Sequence, residues 1–511
     1  MAGSVFIGFF IKLFAAVNAW YEASLTHRAI KKLSVYCVNS FIIGHIIRYI
    51  AGEGRRWAAG SVAVDAARRL NAAVWRTART AYRKLRPSFE GSFILKIFTL
   101  DAYILAVFRP EIALSLFFVC ASIIPADYWN NMFITAAALL FFILYAANVV
   151  RDKARVRTAL PAALIVYFVI IIINLSGSSA FSDSLRVAAV FFSCAAAGLL
   201  VTNILDDEKK LDIFLGAVFA GVFLSALLGF YQYIRGIEVR ADLTDLINNP
   251  GLRRVFSSMG NPNNYAEYLI LFLPFCVSYA LNRKNAYIKF IAVCMLAPMF
   301  LSLVLTSSRA AYLAAVFSAA LFVLLVNKRL VPFLAVAAAL AVPFIPASIA
   351  GRVMTIGTDS SSKYRMMIWE ASLKVLRDSW VSGVSLGPRA FSRVYRIYSN
   401  DRALNAMHAH NLFLQIWIEN GIFGITAFLA FLFTTLKKLL ESAFTAPKKN
   451  KGYLAAALCS LTGFMIFGAV EYTWFYPRVT LSFWIAVGLS LRLIAMNVKT
   501  DVKDTAPFGD S

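Results

Sequence analysis

The sequence predicts an all-α fold: a polytopic transmembrane helix bundle of about 12 spans, with a long, partly helical extracytoplasmic loop between spans 9 and 10. Three observations predict it. Of 511 residues, 60% are hydrophobic and only 15% are charged, more apolar surface than a soluble fold of this size needs. Apolar runs of about 17–25 residues recur along the chain, each long enough to cross a hydrocarbon core of about 30 Å. The basic residues behind the net charge of +24 cluster at the ends of those runs, not on one soluble domain. That pattern sets nucleic acid aside and points to anionic lipid headgroups and an anionic substrate.

Residues 1–110 form a region of their own, with 16 Lys/Arg against 5 Asp/Glu. From Arg55 to Arg86, arginines alternate with Ala, Val and Trp, and Leu70, Val74, Thr77 and Ala81 share one helical face flanked by arginines. This spacing predicts a basic amphipathic helix at the cytoplasmic or interfacial side, with anionic lipids as its partner; a solvated or partner-binding helix is the competing reading. Segments 5–20 and 35–50 are apolar but interrupted by Lys12, His45 and Arg48, which suits interfacial or re-entrant helices. The run Val5 to Trp20 has no basic stretch before it and no cleavage site after it, so no cleavable signal peptide is expected.

The transmembrane domain is expected over 111–496. Its spans fall at 111–126, 131–149, 159–176, 185–204, 211–234, 264–282, 286–305, 309–327, 330–346, 411–436, 453–471 and 477–496. The connections alternate in charge. Arg151 to Arg157, Lys209–Lys210, Arg283–Lys284, Lys328–Arg329 and Lys437 to Lys451 are basic. The turns around Asp127, at 176–183 and at 471–474 are small, polar or acidic. The positive-inside rule then places both termini in the cytoplasm and two longer segments, 235–263 and 347–410, outside. The second carries nine Lys/Arg and four Asp/Glu. Within it Tyr364, Ile368, Ala371 and Val375 share a helical face, Ser361 or Ser362 can cap the start, and Glu370 and Lys374 are an i,i+4 pair. Gly383 and Gly387 mark a turn-rich passage. The tail, 497–511, is expected to be disordered and cytoplasmic. The six cysteines, Cys37, Cys120, Cys194, Cys276, Cys294 and Cys459, lie mostly in apolar runs without a CxxC pair, and read as packing residues.

The candidate chemistry gathers at the expected outer face. Two of the chain's four histidines, His408 and His410, stand where the long loop meets an apolar helix. Arg309 sits at the end of the eighth span and Arg365 begins the loop helix. Each offers a planar fork of donors suited to phosphate, although Arg309 alone also fits a snorkelling anchor and Arg365 a surface residue. Asn261, Asn263 and Asn264 open the sixth span beside Pro262, either as sugar or phosphate ligands or as a helix-entry turn. Gln232 and Tyr233 end the fifth span and can line a cavity. Glu419, nine residues into the tenth span, should face the bundle and have a partner. Arg389, Arg393 and Arg396 add charge for glycan or lipid phosphates, or are simply solvated. Neither a metal nor a cofactor is expected, since the HAH pair lacks further ligands at suitable spacing.

His410-Asn411, nine residues, then Gly421-Ile422-Phe423-Gly424 resembles the H-N-x9-G-x-x-G signature of the O-antigen ligase and O-antigen polymerase superfamily. SSRAAYL at 307–313 is similar to that family's S-R-small-small segment, YRMMIW with Gly383 and Gly387 to its R-x-x-x-W loop passage, and GNPNNYAEYL at 260–269 to its Asn-Pro-Asn entry into a span. The likeness covers roughly 110–496. It implies inverting, metal-independent transfer of a glycan from undecaprenyl pyrophosphate to an acceptor hydroxyl on a glycan or lipid-glycan, at the outer face of the bacterial cytoplasmic membrane. It assigns Arg309 and Arg365 to the pyrophosphate. His410 positions the acceptor or the phosphate, or acts as a base. His408, Asn261, Asn263, Asn264, Gln232 and Arg389 are carried as substrate-binding candidates. Polymerase and ligase stay undivided. The alternative is a transporter of a small anion or glycan intermediate, disfavoured because no repeat relates two halves and the basic candidates share one face. A scaffold for envelope assembly would leave the external cluster without a purpose.

Overall fold

The computed structural model describes residues 69, 72–81, 83, 84, 109–150, 160–237, 239, 253–331, 360–400 and 403–504. The elements among them are all helical: α1 (Pro110–Ile123), α2 (Met132–Val150), α3 (Ala162–Leu175), α4 (Phe181–Ile204), α5 (Glu208–Arg235), α6 (Pro262–Leu281), α7 (Ala286–Leu305), α8 (Arg309–Asn327), α9 (Ser360–Ser379), α10 (Pro388–Tyr398), α11 (Leu412–Thr445), α12 (Lys448–Gly468) and α13 (Pro477–Asp504). The chain divides into two compact units, residues 1–72 with 323–345 and residues 73–322 with 346–511. The first is described only at 69, 72 and 323–331, the last turn of α8 and the short helix Lys328–Leu330. The expected segments 5–20 and 35–50, the ninth span (330–346) beyond residue 331 and the loop stretch 347–359 lie outside the described residues.

Nine of the described helices are long and apolar enough to cross a membrane: α2, α4, α5, α6, α7, α8 with its extension, α11, α12 and α13. Two more of the expected spans, α1 and α3, are apolar but only 14 residues long. Proline explains the shortening. Pro125 forces Ile124 into an extended conformation (φ −65°, ψ 121°) and ends α1 ahead of the expected 126. Pro161 delays the start of α3 to Ala162. α11 runs nine residues past the expected 436, and α13 reaches Asp504, past the boundary set for the tail at Asn497.

The second unit is held by close helix contacts at small residues, the usual device where lipid tails remove the hydrophobic drive between helices. α13 crosses α4 at Gly198 and Gly488. A Cβ on Gly488 would lie 1.9 Å from the Gly198 carbonyl oxygen, and Thr202 Oγ1 donates to Gly488 O at 3.0 Å. α6 and α12 are largely enclosed by the other helices, whereas Leu139, Phe142, Ile172, Phe290 and Val316 turn outward, where lipid would meet them.

Hydrogen bonds sort the connections into two ends. Lys449–Glu208 (2.5 Å) and Arg283–Asp212 (2.5 Å) bring basic turns together at one end. At the other, Arg478 Nη1 donates to Ile124 O (2.8 Å) and Ser258 O (3.0 Å), Ser184 Oγ to Leu386 O (2.5 Å), and Asn411 Nδ2 to Ala469 O (2.8 Å). Among the described residues, the basic turns at 208–212, 283–284 and 447–451 therefore lie together, apart from the polar turns, in line with the charge alternation.

At that second end residues 360–400 and 403–409 pack as a cap of their own. Ile368, Ala371 and Val375 of α9 are buried with Phe391 and Tyr395 of α10, Ala403, Ala406 and Ala409, and Ile418 of α11. The expected helix at 364–375 is thus longer, and a second one follows it. α10 buries Phe391 and Tyr395 and leaves Arg389, Arg393 and Arg396 exposed. The cap docks into a break in α11. Gly421 adopts φ 65°, ψ −174°, which interrupts the helix and frees backbone groups. Val384 N and Ser385 N then donate to Ile418 O (2.8 Å) and Glu419 O (3.0 Å), and Ile422 N donates to Trp380 O (2.8 Å). The approach is so close that a Cβ on Gly421 would sit 1.9 Å from Val381 O, and one on Gly383 would sit 2.6 Å from Glu419 O. Gly421→Ala should therefore cost at least about 2 kcal/mol from the left-handed conformation and the clash, read as a lower melting temperature and less monodisperse protein in detergent. Gly177→Ala, where the nearest atom to a Cβ is 3.9 Å away, should leave both unchanged.

Candidate functional site

The start of α11 dictates where the histidines point. Asn411 caps the helix, its Oδ1 accepting from Leu414 N at 3.0 Å while its Nδ2 holds Ala469 O across the junction. Ala409 N donates to Gln415 Oε1 at 2.7 Å. Between these two anchors His410 takes a left-handed conformation, φ 46°. That costs a non-glycine residue about 1 kcal/mol or more and persists where the surroundings over-determine it. His410 N donates to His408 Nδ1 at 3.3 Å, and the two rings lie 4.2 Å apart.

The turn Val470–Tyr476 carries Glu471 into the middle of this arrangement. His410 Nδ1 is 2.6 Å from Glu471 Oε1, Arg365 Nη2 donates to Oε2 at 2.8 Å, and Asn263 Nδ2 donates to Oε2 at 3.3 Å. Tyr472 N adds a bond to Oε1 at 3.2 Å. Asn263 Oδ1 in turn accepts from Arg254 Nη2 at 3.0 Å, and Arg254 Nε donates to Thr306 O at 2.9 Å, in the turn that precedes Arg309. Residues from α6, α9, the His410 junction and the 470–476 turn thus meet on one carboxylate. Burial works against ionising Glu471, but His410 and Arg365 override it and hold its carboxyl well below the usual carboxylate range. His408 is packed against Phe475 (4.6 Å) and Tyr472 (5.5 Å), and burial, aided by the neighbouring His410, pushes it down to about 3.

A neighbouring polar group supports the site from within the bundle. Glu419 is buried and accepts from Gln415 Nε2 at 2.9 Å and from Gly387 N at 3.4 Å, so it faces the bundle and has partners, as expected. Gln415 therefore ties Glu419 to the Ala409 backbone, one residue from His410.

The remaining sequence candidates divide. His410, Arg365 and Asn263 converge, and His408 lies against them. Arg309 begins α8, half-buried, after a turn in which Ser307 is also left-handed (φ 53°). Asn264 is buried, and its Nδ2 has no hydrogen-bond partner among the described residues. Asn261 caps α6, its Oδ1 accepting from Asn263 N at 2.8 Å, which is the helix-entry reading. Gln232 clamps the Ser257 backbone at both ends, Nε2 to O at 2.8 Å and Oε1 from N at 2.7 Å, so it shapes the loop. Arg389 is exposed on α10, 3.7 Å from Asp183. Glu471 and Arg254 were not among the sequence candidates.

His408, His410 and Glu471 hold ligand atoms within 4.8 Å of one another, a spacing a cation could use. Glu471, however, already meets His410 with one oxygen and Arg365 with the other. The arrangement is better suited to orienting an imidazole and an arginine than to holding a metal: with Nδ1 facing a carboxylate, Nε2 is the nitrogen left to exchange a proton.

Both perturbed groups weaken the fold on acidification. His408, lowered in the folded state, stays neutral there while the unfolded chain takes up a proton below about pH 6.5. Glu471, also lowered, loses its contribution as pH falls below the usual carboxylate range. The melting temperature in detergent should accordingly fall from pH 7 towards pH 4. In His408→Asn, which keeps an acceptor for His410 N, the loss in the upper half of that window should flatten. An unchanged pH profile in that variant would contradict the assignment.

Residues 269–429, from within α6 to within α11, match the family model described as O-Antigen ligase. The match takes in Arg309, Arg365, His408, His410 and the Gly421 break, and it leaves Asn261, Asn263, Asn264 and Glu471 outside. No curated protein matches the chain. Over residues 269–429 the chain is thus similar to the O-antigen ligase family, the family that the motif order resembles.

Proposed function

We propose that the protein transfers a glycan from an undecaprenyl-pyrophosphate carrier to an acceptor hydroxyl at the outer face of the bacterial cytoplasmic membrane, as a polymerase or ligase of cell-surface polysaccharide. The observation that carries this reading is the Glu471 carboxylate joining Arg365 and His410 within 2.8 Å. A site that holds an arginine beside an oriented imidazole has the two groups such a reaction needs: a cation for the departing pyrophosphate and a base for the incoming hydroxyl.

On this reading Arg365 and Arg309 take the pyrophosphate, whose negative charge grows as the glycosidic bond breaks. Glu471 occupies Arg365 while the site is empty and yields it to a phosphate when the donor arrives. Glu471 also keeps the proton of His410 on Nδ1, so Nε2 takes the proton of the acceptor hydroxyl as its oxygen attacks the anomeric carbon from the face opposite the leaving group. Inversion follows from that displacement. Charge neutralisation by arginine supplies what a divalent metal supplies in other glycosyl transfers, so no metal is required.

The test is transfer by purified protein in nanodiscs with an undecaprenyl-pyrophosphate oligosaccharide as donor and EDTA present. Lipid pyrophosphate release should survive EDTA and fall by about 10²-fold or more in Arg365→Gln, His410→Ala and Glu471→Gln, each checked for folding. Asn261→Ser, which keeps a helix cap, should retain transfer. Full activity in folded His410→Ala would remove the base, and activity abolished by EDTA and restored by a divalent cation would remove the metal-independent mechanism.

A further inference from the structure

Glu267 is a buried carboxyl that the reaction above leaves unused. It lies on the second turn of α6, one of the helices long and apolar enough to cross a membrane, and is 1% exposed. No hydrogen bond or ion pair among the described residues ends on it. At 100° and 1.5 Å per residue it stands about 40° from Asn263 and about 6 Å deeper, and about 60° from Asn264. Asn263 Nδ2 reaches Glu471 at 3.3 Å, so this face of α6 is turned to the site. The charge that acts on Glu267 is that of Glu471. One turn further in, Ile270 closes the face against α12, where a Cβ on Gly463 would come 3.1 Å from Ile270 Cγ2. Tyr268 turns away, its Oη donating to Ser122 Oγ at 2.8 Å. Beside Glu267 a second polar group goes unspent: Asn264 is buried, and its Nδ2 has no partner among the described residues.

A carboxyl within a span is costly to bury alone, and where it is kept it marks a functional contact. The chemistry around it selects the partner. A phosphate is repelled by Glu267 and Glu471 together. A cation would satisfy Glu267 but not Asn264 Nδ2, which is a donor. A hydroxyl donates to the one and accepts from the other. We infer that Glu267, with Asn264 beside it, forms a subsite for a sugar hydroxyl on the α6 side of Glu471, with Arg365 left to the pyrophosphate. This subsite presupposes the transfer reaction proposed above, and it specifies the ligand there as an uncharged, hydroxyl-bearing face of the glycan. Asn264 alone suits sugar or phosphate; the carboxyl one turn along decides for sugar. Glu267 is then a specificity residue, which reads the glycan and not the lipid carrier.

Binding of two lipids to the full-length protein in nanodiscs tests it: undecaprenyl diphosphate, which has no sugar, and the undecaprenyl-pyrophosphate oligosaccharide used as donor above. Wild type should bind the glycosylated lipid more tightly. Glu267→Ala should remove about tenfold of that preference, the loss of one hydrogen bond to a charged group, and leave undecaprenyl diphosphate binding unchanged. Glu267→Gln, which keeps an acceptor of the same size, should keep part of the preference, and Arg365→Gln should weaken both lipids. Since no described residue bonds to Glu267, Glu267→Gln should not lower the melting temperature of the empty protein. No preference in wild type, or one left intact in Glu267→Ala, would overturn the subsite in favour of a bound water as the partner of Glu267. A lower melting temperature in Glu267→Gln with both lipids weakened alike would overturn it in favour of a structural role. Wild type that binds neither lipid would refute the transfer reading, and the subsite with it, whereas undecaprenyl diphosphate binding without a Glu267-dependent preference would refute the subsite alone.

Discussion

The carboxylate of Glu471 is the constraint on which the rest of the candidate site depends. A buried carboxylate is costly unless charge and hydrogen bonds compensate it, and here Arg365, His410 and Asn263 do so together. Each of these comes from a different part of the chain: α9 in the cap, the junction before α11, and the first turn of α6. Charge-assisted bonds of this kind contribute about 1.5–3 kcal/mol each when their donors are held in place. The surrounding structure therefore reads as a set of devices for holding donors: the Asn411 cap, the Gln415 bridge, the Asn261 cap and the Arg254–Asn263 bond.

The break at Gly421 serves the same end by another route. An unbroken α11 would leave no free backbone for the cap to pair with, and the segment 380–385 would have to satisfy its own amides. By interrupting the ladder, Gly421 lets Val384, Ser385 and Trp380 bond to Ile418, Glu419 and Ile422. The cap carrying Arg365 is thereby tied to the helix that carries His410 at its start. The spacing of nine residues between Asn411 and Gly421 accordingly separates a helix cap from a docking break, and Glu419, two residues before the break, accepts Gly387 N of the cap.

Much of the fold was legible because its signal is local. Apolar runs set the spans, and Asn261 with Pro262 marked the entry to α6. Proline shortened two expected spans through a conformational rule that hydropathy does not contain. The site was legible at His410 and Arg365, where residue type and motif coincide. Glu471 was not, because 61 residues separate it from His410 and 106 from Arg365, and a lone acid in a short turn carries no periodicity. Its one available signal was that EYTW falls on the same predicted face as the histidines. Gln232 and Asn261 looked like ligands from sequence, since an amide near a helix end reads the same whether it faces a substrate or a backbone. α10 escaped notice because its 11 residues are too few for a confident period, although Phe391 and Tyr395 against Arg389, Arg393 and Arg396 carry its amphipathic pattern.

The central claim is that Glu471 keeps Arg365 and His410 in register for an anionic donor. The most direct measurement is a cryo-electron microscopy structure of the full-length protein in nanodiscs with undecaprenyl diphosphate bound. The account predicts a phosphate against Arg365 in the place of Glu471 Oε2, with His410 Nδ1 still on Oε1. Diphosphate density elsewhere, with the Arg365–Glu471 pair intact, would contradict it.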